Sequence, residues 1–395
     1  MRALLALEDG SIFRGQSFGS TEPCGGEVVF NTAMSGYQEV LSDPSYFGQI
    51  VVFTSAHIGN YGIHTTDSES TGPVAVGAIT REVCWSPRHP ESLESLPSWL
   101  SRHGRFGLTG VDTRKLTLLV RSKGNLRGWF TTAEDPEDAV ARARSLPRMR
   151  DVAAVPTVTT TQPYTWSGGQ SRPLESARPV AGTASDAGAV DVAGGSAGKA
   201  RPRVVVIDYG VKHNILRELE VRGCEVIVVP ADASAELVDG LEPDGVLLSN
   251  GPGDPESLER AVPMVRHTLE NHPTLAICLG HQLVGMALGC RILKLPFGHH
   301  GANHPVKDIV RGRVAITSQN HNYAIDGTVL PDGVEVTHLN LNDGTVQGLR
   351  HKQYRLWSLQ FHPEASPGPH DARDVFDHFV ENVKGNAGLA PGAGK

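Results

Sequence analysis

The stretch Leu275-Ala276-Ile277-Cys278-Leu279-Gly280-His281-Gln282 decides how the chain is read. An apolar run ends on a cysteine, small residues stand two before it and two after it, and a helix is expected to begin at once. Small-x-nucleophile-x-small between a strand and a helix is the pattern of a nucleophile elbow, here with Cys in place of Ser. A tight strand-to-helix turn pushes the side chain out of the sheet. The helix start offers free N–H groups and the positive end of a dipole, and both favour the reactive thiolate. A buried, inert cysteine ahead of a helix is the competing reading, because free cysteine is among the most buried residue types.

Outward from this stretch, strand and helix patterns alternate. Val204–Ile207 reads as a buried strand. Ile215, Leu216 and Leu219 have helical spacing, closed by Gly223. Val226–Val229 and Val246–Leu248 read as strands, Pro255–Asn271 as a helix, Leu275–Ile277 as a strand and Gly280–Leu288 as a helix. This pitch predicts βαβ units and a mostly parallel sheet flanked by helices, with functional groups at the carboxyl ends of its strands. The first 150 residues read as a separate mixed α/β domain with short strands at Leu4–Leu7, Val28–Phe30 and Ile50–Phe53 and a helix over Glu134–Ser145. The expected organisation is therefore 1–150, a linker at 151–202, a second domain at 203–385 and a flexible tail at 386–395. Thr157–Tyr164 remains available for pairing within that linker. Residues 181–200 hold seven Ala, five Gly and two Ser. Such a composition cannot bury enough surface to offset ordering entropy, so a flexible segment is expected there.

Two further motifs carry chemistry. Ser249-Asn250-Gly251-Pro252-Gly253-Asp254-Pro255 follows the third strand of the second domain. Its glycines let backbone approach a ligand, and a Gly N–H beside that of Leu279 forms a candidate oxyanion hole; a plain β-turn is the alternative. Trp357-Ser358-Leu359-Gln360-Phe361-His362-Pro363-Glu364 alternates as a strand does and ends with His362 and Glu364 two apart, on one side of an extended segment. A carboxylate there orients an imidazole that takes the thiol proton and returns it to a leaving amine. Alone, His-x-Glu is more often a solvated strand end. The run Gly298-His299-His300-Gly301 with His304 invites a metal reading, but no further ligand stands at a familiar zinc spacing, so a structural or substrate-facing loop is expected and no metal site. Ser318–Tyr323, after a short strand at Val314–Thr317, suits a small polar ligand.

The bulk composition excludes other classes. The chain has 395 residues, 39% hydrophobic and 20% charged, which fits two or three globular domains. A net charge of −7 argues against a nucleic-acid binder. No apolar run reaches about 18 residues, so no membrane span is expected. The first residues are too short an apolar run for a signal peptide, and no leader is expected. Five dispersed cysteines without a CxxC fit a reducing cytoplasm. No GxxxxGKS/T phosphate loop occurs.

Taken in order, Gly251–Pro255, Cys278–Gln282 and Phe361–Glu364 resemble the triad-type (class I) glutamine amidotransferases. Leu5–Gly10, Gly26–Tyr37, Asp43–Tyr46, His57–Asn60, Gly110–Leu116 and Gly298–Val306 narrow the likeness to the small, glutamine-hydrolysing subunit of carbamoyl phosphate synthase. It covers the chain except about 166–201, where this sequence carries an insertion. The resemblance implies a catalytic set of Cys278, His362 and Glu364. It implies an oxyanion held by Gly251 and Leu279, and glutamine bound by Ser45, Gly253, Gln282, Asn320, Asn322 and Tyr323. It further implies a large synthetase subunit as partner, in a heterodimer or an oligomer of heterodimers. ATP, magnesium and bicarbonate would be used by that partner, with no cofactor on this chain, and the carbamoyl phosphate would serve arginine and pyrimidine synthesis. Two positions depart from the family pattern. Ala276 stands where Gly is common, and Asn322 where Gly is frequent. Other readings are an amidotransferase for a GMP, CTP or anthranilate synthase, which the first domain argues against, a cysteine peptidase or γ-glutamyl hydrolase, which would need a broader cleft and no partner and which a glutamate-versus-peptide product assay would settle, and a pseudo-enzyme, which the complete triad argues against.

Overall fold

A computed structural model describes residues 1–133, 135–174 and 201–385. The expectations for 181–200 and 386–395 lie outside the described residues.

The first domain is built on a closed barrel. Its strands come from β1 (Arg2–Leu7), β2 (Ile12–Gly19), β3 (Cys24–Asn31), β4 (Gln49–Phe53), β6 (Gly77–Ile79), β8 (Phe106–Thr109) and β9 (Leu126–Thr131), closed in the order β1-β2-β8-β6-β4-β3-β9. The short β5 (His57–Ile58) and β7 (Glu82–Val83) pair with each other beside it. Strand residues alternate between two apolar clusters. Val28, Phe30, Ile50 and Val52 join Phe106 and Phe130 in one. Val29, Val51 and Phe53 join Tyr37, Trp99 and Leu100 in the other. Both faces of these strands are buried, which is why they read as unbroken apolar runs. Helices α1 (Tyr37–Ser42), α2 (Leu96–Arg102), α3 (Thr113–Lys123) and α4 (Pro136–Ser145) pack around the barrel. The last begins at Pro136 because the Asp135 side chain caps it, accepting from the N–H groups of Glu137 and Asp138.

The stretch expected to be linker is partly ordered. A short helix α5 (Val155–Val158) is followed by the hairpin β10 (Tyr164–Ser167) and β11 (Gln170–Pro173). Tyr164–Trp166 pairs antiparallel with Val226–Val228, so the hairpin extends the sheet of the second domain. Trp166 supplies the reason, since it is buried against Val204 and Val226.

The second domain holds an eleven-stranded sheet in the order β11-β10-β13-β12-β14-β15-β20-β19-β18-β16-β17. Its centre is parallel: β13 (Glu225–Pro230), β12 (Arg203–Asp208), β14 (Gly245–Leu248), β15 (Thr274–Ile277) and β20 (Leu356–Leu359). The strands β16 (Ile292–Asp308), β17 (Arg313–Ile325), β18 (Val334–Asn340) and β19 (Val346–His351) extend it antiparallel. Along β12, Val204 and Val206 face a layer with α6 (His213–Val221) and α10 (Asp374–Val383). Val205 and Ile207 face the opposite layer, with α7 (Ala235–Gly240), α8 (Val262–Asn271) and α9 (Leu279–Leu288). Two covered faces are what the continuous Val/Ile/Leu runs require.

Three local expectations change. Pro255–Asn271 is not one helix: a 3-10 segment Pro255–Ala261 precedes α8, and Leu258 has non-helical backbone at φ −110°. Gly298–His304 is not a loop but the middle of β16, with register shifts between Lys294 and His299 and between Gly301 and His304. Gly298 makes this possible with φ 69°, a left-handed turn that suits glycine inside an irregular strand. Ser318–Tyr323 likewise lies within β17 rather than after a short strand.

Candidate active site

Four adjacent central strands, β12, β14, β15 and β20, end on one edge of the sheet, and the segments leaving them converge there. Cys278 leaves β15 with φ 55° and ψ −103° and stands at the N-terminus of α9. A positive φ is strained for a residue with a Cβ, and such strain persists only where the surroundings hold it. Cys278 N donates to the Leu359 carbonyl at 2.8 Å, and Gly280 N to the Ser249 carbonyl at 3.0 Å, which pins the turn on both sides. Gly280 cannot be larger: a Cβ there would lie 2.3 Å from the Leu248 carbonyl oxygen. Ala276 fits as it stands, fully buried among apolar neighbours. The sulfur lies 3.6 Å from the Asn320 carbonyl and 3.8 Å from Gln360 Nε2.

His362 and Glu364 follow β20. His362 Nδ1 donates to Glu364 Oε1 at 2.6 Å. Its Nε2 makes no hydrogen bond. Burial works against the imidazolium, but Glu364 and Cys278 beside it outweigh burial and push the ring up to about 10. Lys212, just before α6, completes the set. Its Nζ donates to the same Glu364 Oε1 at 3.0 Å and also to the Ala365 carbonyl. Glu364 is fully enclosed and Lys212 is 2% exposed. Burial opposes the Glu364 carboxylate, yet Lys212 and His362 hold it at about 2. Burial likewise opposes the Lys212 charge, and Glu364, Glu69 and Asp43 together keep its pKa above the ordinary value.

In front of Cys278 lies a cleft between the two domains. Of the residues expected to bind glutamine, Ser45, Gly251, Gly253, Gln282, Asn320, Asn322 and Tyr323 line it beside the sulfur. Leu279 does not line it by side chain. As the first residue of α9, it has a backbone N–H without an intrahelical acceptor. His362 and Glu364 stand behind the cysteine rather than in the cleft wall, 3% and 0% exposed. Asn322 does not use left-handed backbone; it is a strand residue whose Oδ1 accepts from Asn125 Nδ2 at 2.8 Å and lies 3.1 Å from His300 Nε2. Tyr323 OH donates to Asp254 at 2.7 Å.

The two domains are joined at this cleft by buried polar bonds. Asn250 Nδ2 donates to Ser45 Oγ at 2.9 Å, and Asn320 Nδ2 to Asp43 Oδ2 at 3.0 Å. Asp43 also accepts from Ser45 N at 2.8 Å and so fixes the turn that carries Ser45. The histidine run belongs to the same frame: His300 Nδ1 lies 2.8 Å from Asn320 Oδ1, and His299 sits between Gln319 at 3.1 Å and Asp343 at 2.8 Å. Among the described residues, the groups that could hold a metal ion are His64, His89 and Glu91, and Asp239, His267 and His272. None of these residues lines the cleft.

Comparison with known proteins decides the family. Residues 5–130 match the family model "Carbamoyl-phosphate synthase small chain, CPSase domain", and residues 205–382 match "Glutamine amidotransferase class-I". The chain is 46% identical over 389 residues to the carbamoyl phosphate synthase small chain of Solidesulfovibrio magneticus, covering 98% of this chain and 100% of that one. It is 48% identical over 390 residues to that of Nitratidesulfovibrio vulgaris, covering 98% and 100%. It is 44% identical over 384 residues to that of Aquifex aeolicus, covering 97% and 99%. The chain belongs to the carbamoyl phosphate synthase small chain family. In this member of the family the cleft contains residues that motif reading did not single out. Glu27, Gln49, Met149 and Lys294 line it, and Lys212, Asp43, Asn250 and Gln360 support it. Asn250 lies inside a quoted motif and Gln360 inside another. Lys212 and Lys294 had no signal, since a lone lysine reads as surface until its burial is known.

Proposed function

We propose that the chain hydrolyses glutamine to glutamate and ammonia through a γ-glutamyl thioester on Cys278, and passes the ammonia to a large synthetase chain. The observation that carries this reading is the strained Cys278 at a helix N-terminus, at the floor of a polar cleft, with a buried His362–Glu364–Lys212 chain behind it. His362 Nε2 takes the thiol proton, and the sulfur attacks the side-chain amide carbon. The developing oxyanion is met by the N–H groups of Gly251 and Leu279. His362 returns the proton to the departing ammonia, and water then cleaves the thioester. Glu364 fixes the ring tautomer and stabilises its charged form. Glu27 and Lys294 bring a carboxyl and an amine to the cleft, which suits an amino acid, with Ser45, Gly253, Gln282, Asn320, Asn322 and Tyr323 completing the pocket.

The family name implies a large chain as partner. We place ATP, magnesium and bicarbonate on that partner, and no cofactor on this chain. The product would be carbamoyl phosphate for arginine and pyrimidine synthesis, made in the cytoplasm by a heterodimer or an oligomer of heterodimers. Among the described residues no helix is long and apolar enough to cross a membrane. Copurification with the large chain tests the reading, followed by glutamine hydrolysis measured with and without that chain, bicarbonate and ATP. Glutamate release that tracks carbamoyl phosphate formation supports it; a chain that releases no glutamate in the complex contradicts it.

The oxyanion assignment has its own check. A Cβ on Gly251 would lie 2.2 Å from the Tyr209 carbonyl oxygen and 2.8 Å from Leu279 Cδ2, so the loop must move. Gly251→Ala should lower kcat for glutamine about 100-fold with a much smaller change in KM, the size expected when one oxyanion donor is misplaced. Steady-state kinetics would show it, and an unchanged kcat would remove Gly251 from the hole.

A further inference from the structure

The triad's last link rests on a helix that does not cap itself. α6 begins right after Lys212, whose side chain makes no capping bond. The first N–H groups of a helix need acceptors, above all where the helix start is buried. Here the first domain supplies them. The Glu69 carbonyl accepts from His213 N at 3.0 Å, and Glu69 Oε2 accepts from Asn214 N at 2.9 Å. Glu69 Oε1 accepts from Arg217 at 3.3 Å, one turn further along. Glu69 is itself held by Ser42, whose Oγ accepts from Glu69 N at 2.9 Å, and Ser42 adjoins the Asp43–Ser45 turn of the cleft. Its side chain is 1% exposed. A carboxylate from one domain thus caps the helix that places Lys212 in the other, and Lys212 in turn holds Glu364.

We propose that Glu69 is a positioning residue that reaches across the domain boundary and acts on the triad through Lys212. This rests on the proposed roles of Cys278, His362 and Glu364. Along the chain of buried groups the charges alternate: Glu69, Lys212, Glu364, His362. Water does not screen them, so each charge supports the next. Burial outweighs the pull of Lys212 and Arg217 and leaves the Glu69 carboxyl raised to about 7, so the alternation of charge is complete above that pH. Glu364 and Glu39 on α1 also act on it, and Asp67 acts on Glu39.

The sign of the effect follows. Removing one negative charge behind Lys212 disfavours every cation nearby, so the His362 imidazolium loses its proton at lower pH. Glu69→Gln keeps the size and one acceptor but removes the charge. The alkaline limb of the kcat/KM profile for glutamine, where Glu69 is charged, should move to lower pH by about half a unit when measured on the full chain with its large-chain partner. Glu69→Asp, which keeps the charge on a shorter stem, should leave the limb in place. A merely structural cap would lower the amplitude and leave the limb unmoved, and that result overturns the proposal. If the new amide facing Arg217 prevents folding, Glu69→Gln with Arg217→Met removes the clash of donors. The alkaline limb should still shift down, since Glu69 and not Arg217 is among the charges that act on Lys212, and an unmoved limb overturns the proposal there too. A Cys278→Ser chain that still hydrolyses glutamine would sink the underlying reading instead, so the two failures are distinguishable.

Discussion

Replacing Cys278 with serine should abolish glutamine-dependent carbamoyl phosphate formation while leaving the ammonia-dependent reaction of the complex intact. The thiolate is the nucleophile, and a serine hydroxyl at the same helix N-terminus keeps its proton at neutral pH. The fall in glutamine hydrolysis should be roughly 1,000-fold or more, the scale seen when one member of a cooperating catalytic set is lost. The substitution is nearly isosteric and the site is buried, so the fold should survive it. The ammonia-dependent reaction separates chemistry from assembly. If both activities vanish together, Cys278 serves the complex rather than the hydrolytic step. If both persist, the nucleophile lies elsewhere.

Lys212→Met should have the largest effect on stability. Lys212 and Glu364 form an ion pair at 3.0 Å with side chains 2% and 0% exposed. Removing one partner of such a pair leaves the other charge buried without compensation, at a cost of about 3–5 kcal/mol. Methionine matches the stem, so packing loss adds little. Denaturant unfolding at neutral pH would measure the drop. The pH dependence carries a second signature. Glu364 is held at about 2, below its ordinary value of 4.5, so its contribution to stability is present above pH 4.5 and is lost as pH falls towards 2. Without Lys212 that carboxyl titrates higher, and the acid-side decline of stability should be shallower than in the natural chain. Equal slopes would mean that Lys212 does not set the Glu364 ionisation.

The second domain was legible because its strands are buried on both faces. Runs such as Val204–Ile207 and Val246–Leu248 carry no polar interruption, and the elbow at Cys278 is marked by small residues that sterics demand. The antiparallel extension was harder to read. Gln319, Asn320, His321 and Asn322 form the inner part of β17, and their polarity hides a strand from any apolar pattern. They are tolerated in the interior because His299, His300, Asp43 and Asn125 satisfy Gln319, Asn320 and Asn322, and His321 bonds to Gln319 and the Tyr323 carbonyl. The hairpin at Tyr164–Pro173 was hidden by its setting beside a low-complexity stretch, and the burial of Trp166 shows only in the fold. At the site, the residues on motifs were found because their spacing along the chain is itself the geometry. Lys212, Glu69 and Lys294 reach it through folding alone, from the turn before α6, from the first domain and from β16. No local pattern distinguishes a buried lysine from a solvated one.

The central claim is the covalent step, and trapping it is the most direct measurement. The complex is mixed with glutamine, quenched in acid during turnover and digested, and the peptide containing Cys278 is weighed. A γ-glutamyl group in thioester linkage on Cys278, absent in His362→Asn, is the expected result. An enzyme that turns over glutamine with that peptide never modified, or with the adduct on another cysteine, would contradict the account.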